Sequence, residues 1–455
     1  MAGAIGMADE GTSAAPDTHV LPSRRSAYYS LIVLTIVVMF TVLDRQILGL
    51  MIEPVKADFG ISDTEVALLL GAAFALPYAF AGIPIARYAD RSNRRNIVAL
   101  CIAFWSLATC ACGIAQNYFQ MILARFGIGA GESGYGPATW SIMADSFPRE
   151  KVAFGTAFLA IGANIGTGLA LFLGGAVLAF VEHLPQVDLP FGGHMRPWQW
   201  AFILVGAPGL LWALVVLTIK EPNRRGSAGE QKVVVPVREV AGFMGDNWRV
   251  YLGIIGGLCM KMLMGIGANQ WMPTLYYREF GWSLAEVGLI VGSMTIIISP
   301  IALITGGKVS EWWMKRGTPD ANLRIVLYGL IVGVPVAIIT PLMPSPWLVL
   351  AFSGVGMFLS SLGTGPGVGS MQIITPNRMR ATVSSVYQFS THVISLAVGP
   401  LIVALFTDYL FGDSKHLKYS LALCSALLGP VTIFLVWQAL KPFSRAYERA
   451  VRLGY

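Results

Sequence analysis

Six ionisable side chains stand inside stretches that are otherwise apolar: Asp44, Arg45, Arg125, Glu132, Lys261 and His392. In hydrocarbon a charge is costly, so such residues face a protein interior or a water-filled cavity and mark substrate or ion paths. Asp44 stands roughly six to nine residues below the outer end of its run and Arg125 about eight below the outer end of another. At the helical rise per residue both lie about 9–14 Å deep. Opposite charges at matched depth are able to pair, each relieving the other's desolvation cost, and an anion could compete for Arg125.

Glu132 follows Arg125 by seven residues, two turns of helix, so it shares that face about 10 Å deeper, close to the bilayer centre. No basic neighbour for it is evident in the sequence. An apolar surround disfavours the charged carboxylate, which suits Glu132 to take up and release a proton and makes it the first candidate for a coupling site. Lys261 and His392 are able to face a shared cavity, or to snorkel and pack quietly. The plain alternative for Asp44, Arg45, Arg125 and Glu132 is that they brace helices, Arg45 foremost. Asn164, Asn269, Gln270, Gln372 and Gln388 add polar groups whose commoner use is bonding between helices.

The elements that must position these side chains follow from composition. The chain is 55% hydrophobic and 13% charged, against roughly 25% charged in soluble domains, so its apolar surface needs lipid as solvent. A spanning helix needs about 20 apolar residues. That ruler predicts runs near 27–52, 64–87, 95–115, 118–145, 152–181 and 198–219 in the first half. The second half supplies 250–277, 285–309, 323–342, 346–373, 380–408 and 417–440. The expected fold class is an all-α membrane protein of twelve spans in two six-helix bundles, 27–219 and 248–441. A polar, basic linker at 220–247 joins them, with a disordered tail at 1–26 and a second tail at 442–455. The run after the first tail is too long for a signal-peptide core.

Of 32 Lys and Arg, five (Lys56, Arg196, Arg278, Lys415 and Lys418) fall on one side, three lie within spans, and the remaining 24 sit on the side of both termini. That bias places both termini in the cytoplasm. The net charge of +7 is spread over short loops, which excludes the clustered basic face that nucleic acid demands. Cys101, Cys110, Cys112, Cys259 and Cys424 all fall in apolar runs without zinc or disulfide spacing. No nucleotide loop or nucleophile–base motif argues for an enzyme, no metal or other cofactor is called for, and no filter repeats around an axis as in a channel.

Two internal echoes divide the chain into parallel repeats. Asp90-Arg91-Ser92-Asn93-Arg94-Arg95 after span two matches Glu311-Trp312-Trp313-Met314-Lys315-Arg316 after span eight, and Pro148 through Ala153 matches Pro376 through Ala381. Repeats of six spans imply rocking bundles with a site between them. Asp90 is then expected to gate, meeting the positive N-terminal end of span eleven near Arg378 and Arg380 and locking the outward-facing state, with Arg91, Arg94 and Glu311 in the same role.

The loop Ala86-Arg87-Tyr88-Ala89-Asp90-Arg91-Ser92-Asn93-Arg94-Arg95 resembles the signature between spans two and three of the major facilitator superfamily, departing at Ala86 and Asn93, where Gly is usual. Within it, Leu43-Asp44-Arg45, Arg125-Phe126-Gly127-Ile128-Gly129-Ala130-Gly131-Glu132-Ser133, Pro137-Ala138 and Asp145-Ser146-Phe147-Pro148 resemble the Spinster family of lysolipid and sphingolipid transporters, in a bacterial-type homologue. Span five carries Gly162-Ala163-Asn164-Ile165-Gly166-Thr167-Gly168 and Gly174-Gly175 but lacks the Gly-Pro of the antiporter signature of many drug exporters.

The resemblance implies a monomer in the cell's inner membrane that moves an amphiphilic, lipid-like solute by alternating access, coupled to protons. A carrier of small organic anions such as sugar acids, or a drug exporter, is the alternative. The head group is expected near Arg125, with the tail among apolar residues.

Overall fold

Lipid offers a backbone no hydrogen-bond partner, so apolar runs must satisfy their own N–H and C=O groups as helices. The computed structural model describes residues 21–89, 91–181, 187–188, 194–224, 235–376 and 378–453. Eleven helices among them are long and apolar enough to cross a membrane. The remaining span comes as two shorter helices, Tyr118–Glu132 and Tyr135–Ser146. Pro137 has no N–H to offer the Ser133 carbonyl one turn earlier, and the helix opens there. The count of twelve spans therefore agrees with the sequence.

In chain order the first half holds span 1 (Arg24–Leu50), span 2 (Asp63–Ala89), span 3 (Arg94–Ile114), span 4 (residues 118–146), span 5 (Arg149–Val181) and span 6 (Pro197–Val216). The second holds span 7 (Trp248–Phe280), span 8 (Leu284–Lys315), span 9 (Ala321–Leu342), span 10 (Pro346–Ile374), span 11 (Thr382–Phe411) and span 12 (Ser414–Leu453). A short helix, Ile52–Phe59, crosses between spans 1 and 2. A two-stranded ribbon between spans 5 and 6 pairs Val187 with Met195 and Asp188 with His194.

Within the halves, span 3 packs on spans 4 and 6, span 1 on span 5, span 7 on spans 11 and 12, and span 10 on spans 8 and 9. Between them, spans 5 and 8 meet backbone to backbone. A Cβ on Gly175 would lie 2.6 Å from the Ala285 carbonyl oxygen, and one on Gly288 2.6 Å from that of Leu171. Only glycine permits so close an approach, the usual device for helices that associate in lipid. Gly71, where span 2 is interrupted, likewise lies against the Leu396 and Ala397 carbonyls of span 11.

These contacts make the two halves unequal along their length. On the side away from the termini one apolar core is continuous across both halves, running from Leu48 and Val66 to Trp271, Leu275, Val349 and Val403. Toward the termini the second half has a separate core around Val250, Leu327, Val383 and Phe443. Part of the linker is ordered as the amphipathic helix Val237–Asp246, which lays Val240 and Phe243 on that second core. The expected tail after residue 441 is instead a continuation of span 12, helical through Leu453 with Phe443 and Ala450 buried. Most of the expected N-terminal tail lies outside the described residues, and helix begins at Arg24, capped by the Ser23 hydroxyl.

Candidate functional site

The intramembrane charges of the first half are paired differently from the sequence expectation. Arg45 Nη2 lies 2.5 Å from Glu132 Oε2 and Arg45 Nε 2.7 Å from the same oxygen. The guanidinium sits over the rings of Phe74 (4.7 Å) and Tyr78 (5.5 Å) on span 2, a placement in which ring quadrupoles add to the carboxylate's attraction. Glu132 is fully buried and Arg45 about one-fifth exposed (21%), so the accessible member of the pair is its cation. Glu132 Oε1 makes no hydrogen bond among the described residues.

Asp44 and Arg125 do not form the expected ion pair. Arg125, 1% exposed, donates Nε to the Leu69 carbonyl (3.1 Å) and Nη1 to the main-chain carbonyl of Asp44 (3.4 Å). It ties spans 1, 2 and 4 together and is closed to a substrate anion. The Asp44 carboxylate turns toward Trp105 and Thr109 of span 3, and its Oδ1 makes no hydrogen bond among the described residues. Depth was matched as expected, but successive residues of a helix point about 100° apart. The turn that brings Arg45 to Glu132 sends Asp44 elsewhere.

Lys261 borders a cavity of about 290 Å³ lined by spans 7, 8, 9, 10 and 12 and by Leu171 of span 5, with Met264, Met272, Met294 and Met357 in its wall. Its ammonium reaches Thr364 Oγ1 at 3.3 Å and has no ion-pair partner among the described residues. His392 occupies a π-helical turn of span 11, Phe389–Ile394, with Nδ1 3.3 Å from Thr391 Oγ1 and within electrostatic reach of Arg45. Such turns recur at functional positions because the extra residue re-aims a side chain. Between the halves, Gln46 Nε2 donates to Asn269 Oδ1 (2.9 Å) and Gln270 Nε2 to Gln46 Oε1 (3.2 Å). Of the polar side chains flagged in the sequence, Asn269 and Gln270 thus bond across the interface, Gln372 bonds Ser384, and Asn164 bonds the Ala160 carbonyl within its own helix.

Asp90, on which the expected gate turns, lies outside the described residues, and its expected partners make contacts within their own surroundings. Arg94 is buried and bonds Asp145 and Ser141 (2.7 Å) in the first half and Glu221 (2.7 Å) and the Pro222 carbonyl (2.8 Å) at the start of the linker. Arg378 pairs with Glu239 of the linker helix (2.8 Å), and Arg380 donates to the Thr375 carbonyl (3.0 Å). Glu311 forms an exposed pair with Lys315 one turn along. Arg91 is exposed. With these groups so placed, no ion pair among the described residues joins the halves on the termini side.

A gate that sequence reasoning missed stands on the other side. Arg278, at the end of span 7, bonds Glu53 (2.6 Å) and both oxygens of Asp63 (2.7 and 2.8 Å) in the first half, and Lys56 adds a 2.5 Å contact to Asp63. Thr64 gives its N–H and hydroxyl to Asp408 of span 11 at 2.7 and 2.6 Å. Lys56 and Arg278 had registered only as loop charges in the topology tally. Partners 225 positions apart leave no spacing signal.

Two six-span bundles, polar at their interface and latched, among the described residues, on one face, define a secondary transporter, and the fold is not that of an enzyme. The chain matches the Major Facilitator Superfamily model over residues 34–400 and belongs to that superfamily. It is similar to an MFS-type efflux pump of Mycolicibacterium smegmatis, 27% identical over 92% of this chain and 94% of that one. It is also similar to a probable L-galactonate transporter of Escherichia coli, 22% identical over 87% and 86% of the two chains. Among solved structures, a bacterial homologue of the human lysosomal transporter Spinster, inward-facing and unoccupied, superposes with a TM-score of 0.77 at 24% identity, covering 95% of this chain and 99% of that one.

Proposed function

We propose that the chain carries an amphiphilic anion with a single acyl chain, lysolipid-like, across the cell's inner membrane by alternating access coupled to protons. The observation that carries this reading is Lys261: an ammonium without an acidic partner among the described residues, at the edge of an apolar, methionine-rich cavity. A cation inside a membrane span, even one half-buried as Lys261 is, is normally paired or kept for a ligand. Methionine walls adapt to flexible apolar chains. The head group binds between Lys261 and Arg45, and the tail lies among Met264, Met272 and Met357.

Protons enter through the Arg45–Glu132 pair. Protonating Glu132 removes the counter-charge from Arg45, whose guanidinium then holds the anionic head group; losing the proton restores the pair and expels the anion. With both termini cytoplasmic, as the basic-residue bias argues, the Arg278 latch lies on the outer face, and the arrangement corresponds to the inward-facing state.

The likeness to an L-galactonate transporter supports a second reading, a small sugar acid held by Arg45, Lys261 and the Gln46–Asn269 amides. Uptake into proteoliposomes of a radiolabelled lysophosphatidate, compared with galactonate, decides between them. Saturable lysophosphatidate uptake that galactonate does not inhibit supports the first reading, and the reverse pattern overturns it.

A further inference from the structure

The interior cavity is not the only apolar space in the second half. A groove of about 580 Å³ runs along the outside of the bundle between spans 8 and 10, lined wholly by apolar side chains and glycine. Its mouth is marked by Trp347, 62% exposed, whose ring stacks edge-on against Trp282 at 5.2 Å. These residues open spans 10 and 8, the depth at which tryptophan anchors a helix at the membrane–water boundary. From Trp347 the groove descends to Leu359, about 18 Å of helix, close to one leaflet of a hydrocarbon core about 30 Å thick.

Met294 and Leu359 line both the groove and the interior cavity. The partition is thin because span 10 carries glycine at its contact with span 8. A methyl group on Gly354 would lie 3.3 Å from Met294 Sδ and 3.1 Å from Ile298 Cδ1. The two side chains common to both spaces are unbranched or singly branched at Cγ and change rotamer readily, methionine above all.

We propose that spans 8 and 10 form a lateral portal: a single acyl chain in the leaflet away from the termini lies in the groove and passes between Met294 and Leu359 into the interior cavity. The occupant is an acyl chain because the groove is apolar throughout, faces outward from the bundle, matches one leaflet in length and shares the Met294 and Leu359 wall with the proposed tail site. This inference rests on the amphiphile reading given above and adds the route by which the tail arrives.

The portal is tested by photolabelling the full chain in liposomes with a lysophosphatidate that bears a diazirine at the end of its acyl chain, flashing at intervals after mixing and mapping adducts by mass spectrometry. Wild type should label the groove peptide around residues 347–358 first and the interior around Met264 later. Ala351→Trp, at an exposed groove position away from the core, should remove the groove adducts and slow interior labelling tenfold or more without changing its final level. Met294→Ala should speed it. Interior labelling at the wild-type rate in Ala351→Trp overturns the portal, as does an altered final level with an unaltered rate. Wild type that never labels inside overturns the amphiphile reading itself, and the portal with it.

Discussion

Arg45 of span 1 holds Glu132 of span 4 at 2.5 Å, while the neighbouring Arg125 gives its guanidinium to two main-chain carbonyls. One intramembrane arginine of the first half is thus paired with the carboxylate proposed to exchange protons, and the other is built into the scaffold. The two should respond to substitution in opposite ways.

Arg125→Met should lower stability and leave ligand specificity intact. Hydrogen bonds from a charged donor contribute about 1.5–3 kcal/mol, and the Leu69 and Asp44 carbonyls would be left buried. The check is the melting temperature of purified protein, which should fall by several degrees, alongside substrate competition profiles, which should not change.

Arg278→Ala should release the latch opposite the termini. Removing one member of a buried charged cluster typically costs 2–5 kcal/mol, enough to shift the balance between the two access states at least tenfold. A cysteine at Gln46, labelled from the outer side, reads the change: the labelling rate should rise in Arg278→Ala and in Asp63→Asn, and stay low in wild type.

Gly292→Leu should prevent spans 5 and 8 from closing. A Cβ at Gly292 would already lie 2.7 Å from the Gly168 carbonyl oxygen, and overpacking costs typically 1–3 kcal/mol. Transport should fall to background while the protein still folds, which size-exclusion profiles and the outer-side labelling assay separate.

Lys261→Met should weaken binding of an anionic amphiphile about tenfold, the equivalent of about 1.4 kcal/mol, whereas Lys261→Arg should largely restore it. Isothermal titration with lysophosphatidate and with an uncharged monoacylglycerol checks the claim. Only the anion should lose affinity.

How far the sequence carried this picture depended on what kind of geometry each residue required. Twelve spans were legible because twenty apolar residues have no other use at this composition, and the proposed division at 220–247 came from its polar, basic composition and the internal repeats. That Asp44 and Arg125 stand level with each other was legible too, since rise per residue fixes the axial position along a helix, and the Arg125 guanidinium does reach the Asp44 carbonyl. Which way each side chain points was not. It depends on how spans 1, 2 and 4 rotate against one another, and that rotation gave Glu132 to Arg45. Arg278, Glu53 and Asp63 were illegible because the latch they form is a tertiary contact between helix ends. The helical course beyond residue 441 lay outside the apolar-run ruler, because only a stripe of it, with Phe443 and Ala450, is buried.

The measurement that bears most directly on the account compares wild type with Glu132→Gln in liposomes holding a pH-sensitive dye, following proton movement and labelled-substrate counterflow together. The account predicts substrate-evoked proton flux in wild type, its loss in Glu132→Gln, and counterflow retained in both, because exchange needs the site but no net proton transfer. Proton flux of wild-type size in Glu132→Gln, or substrate movement in wild type with no proton flux at all, would contradict it.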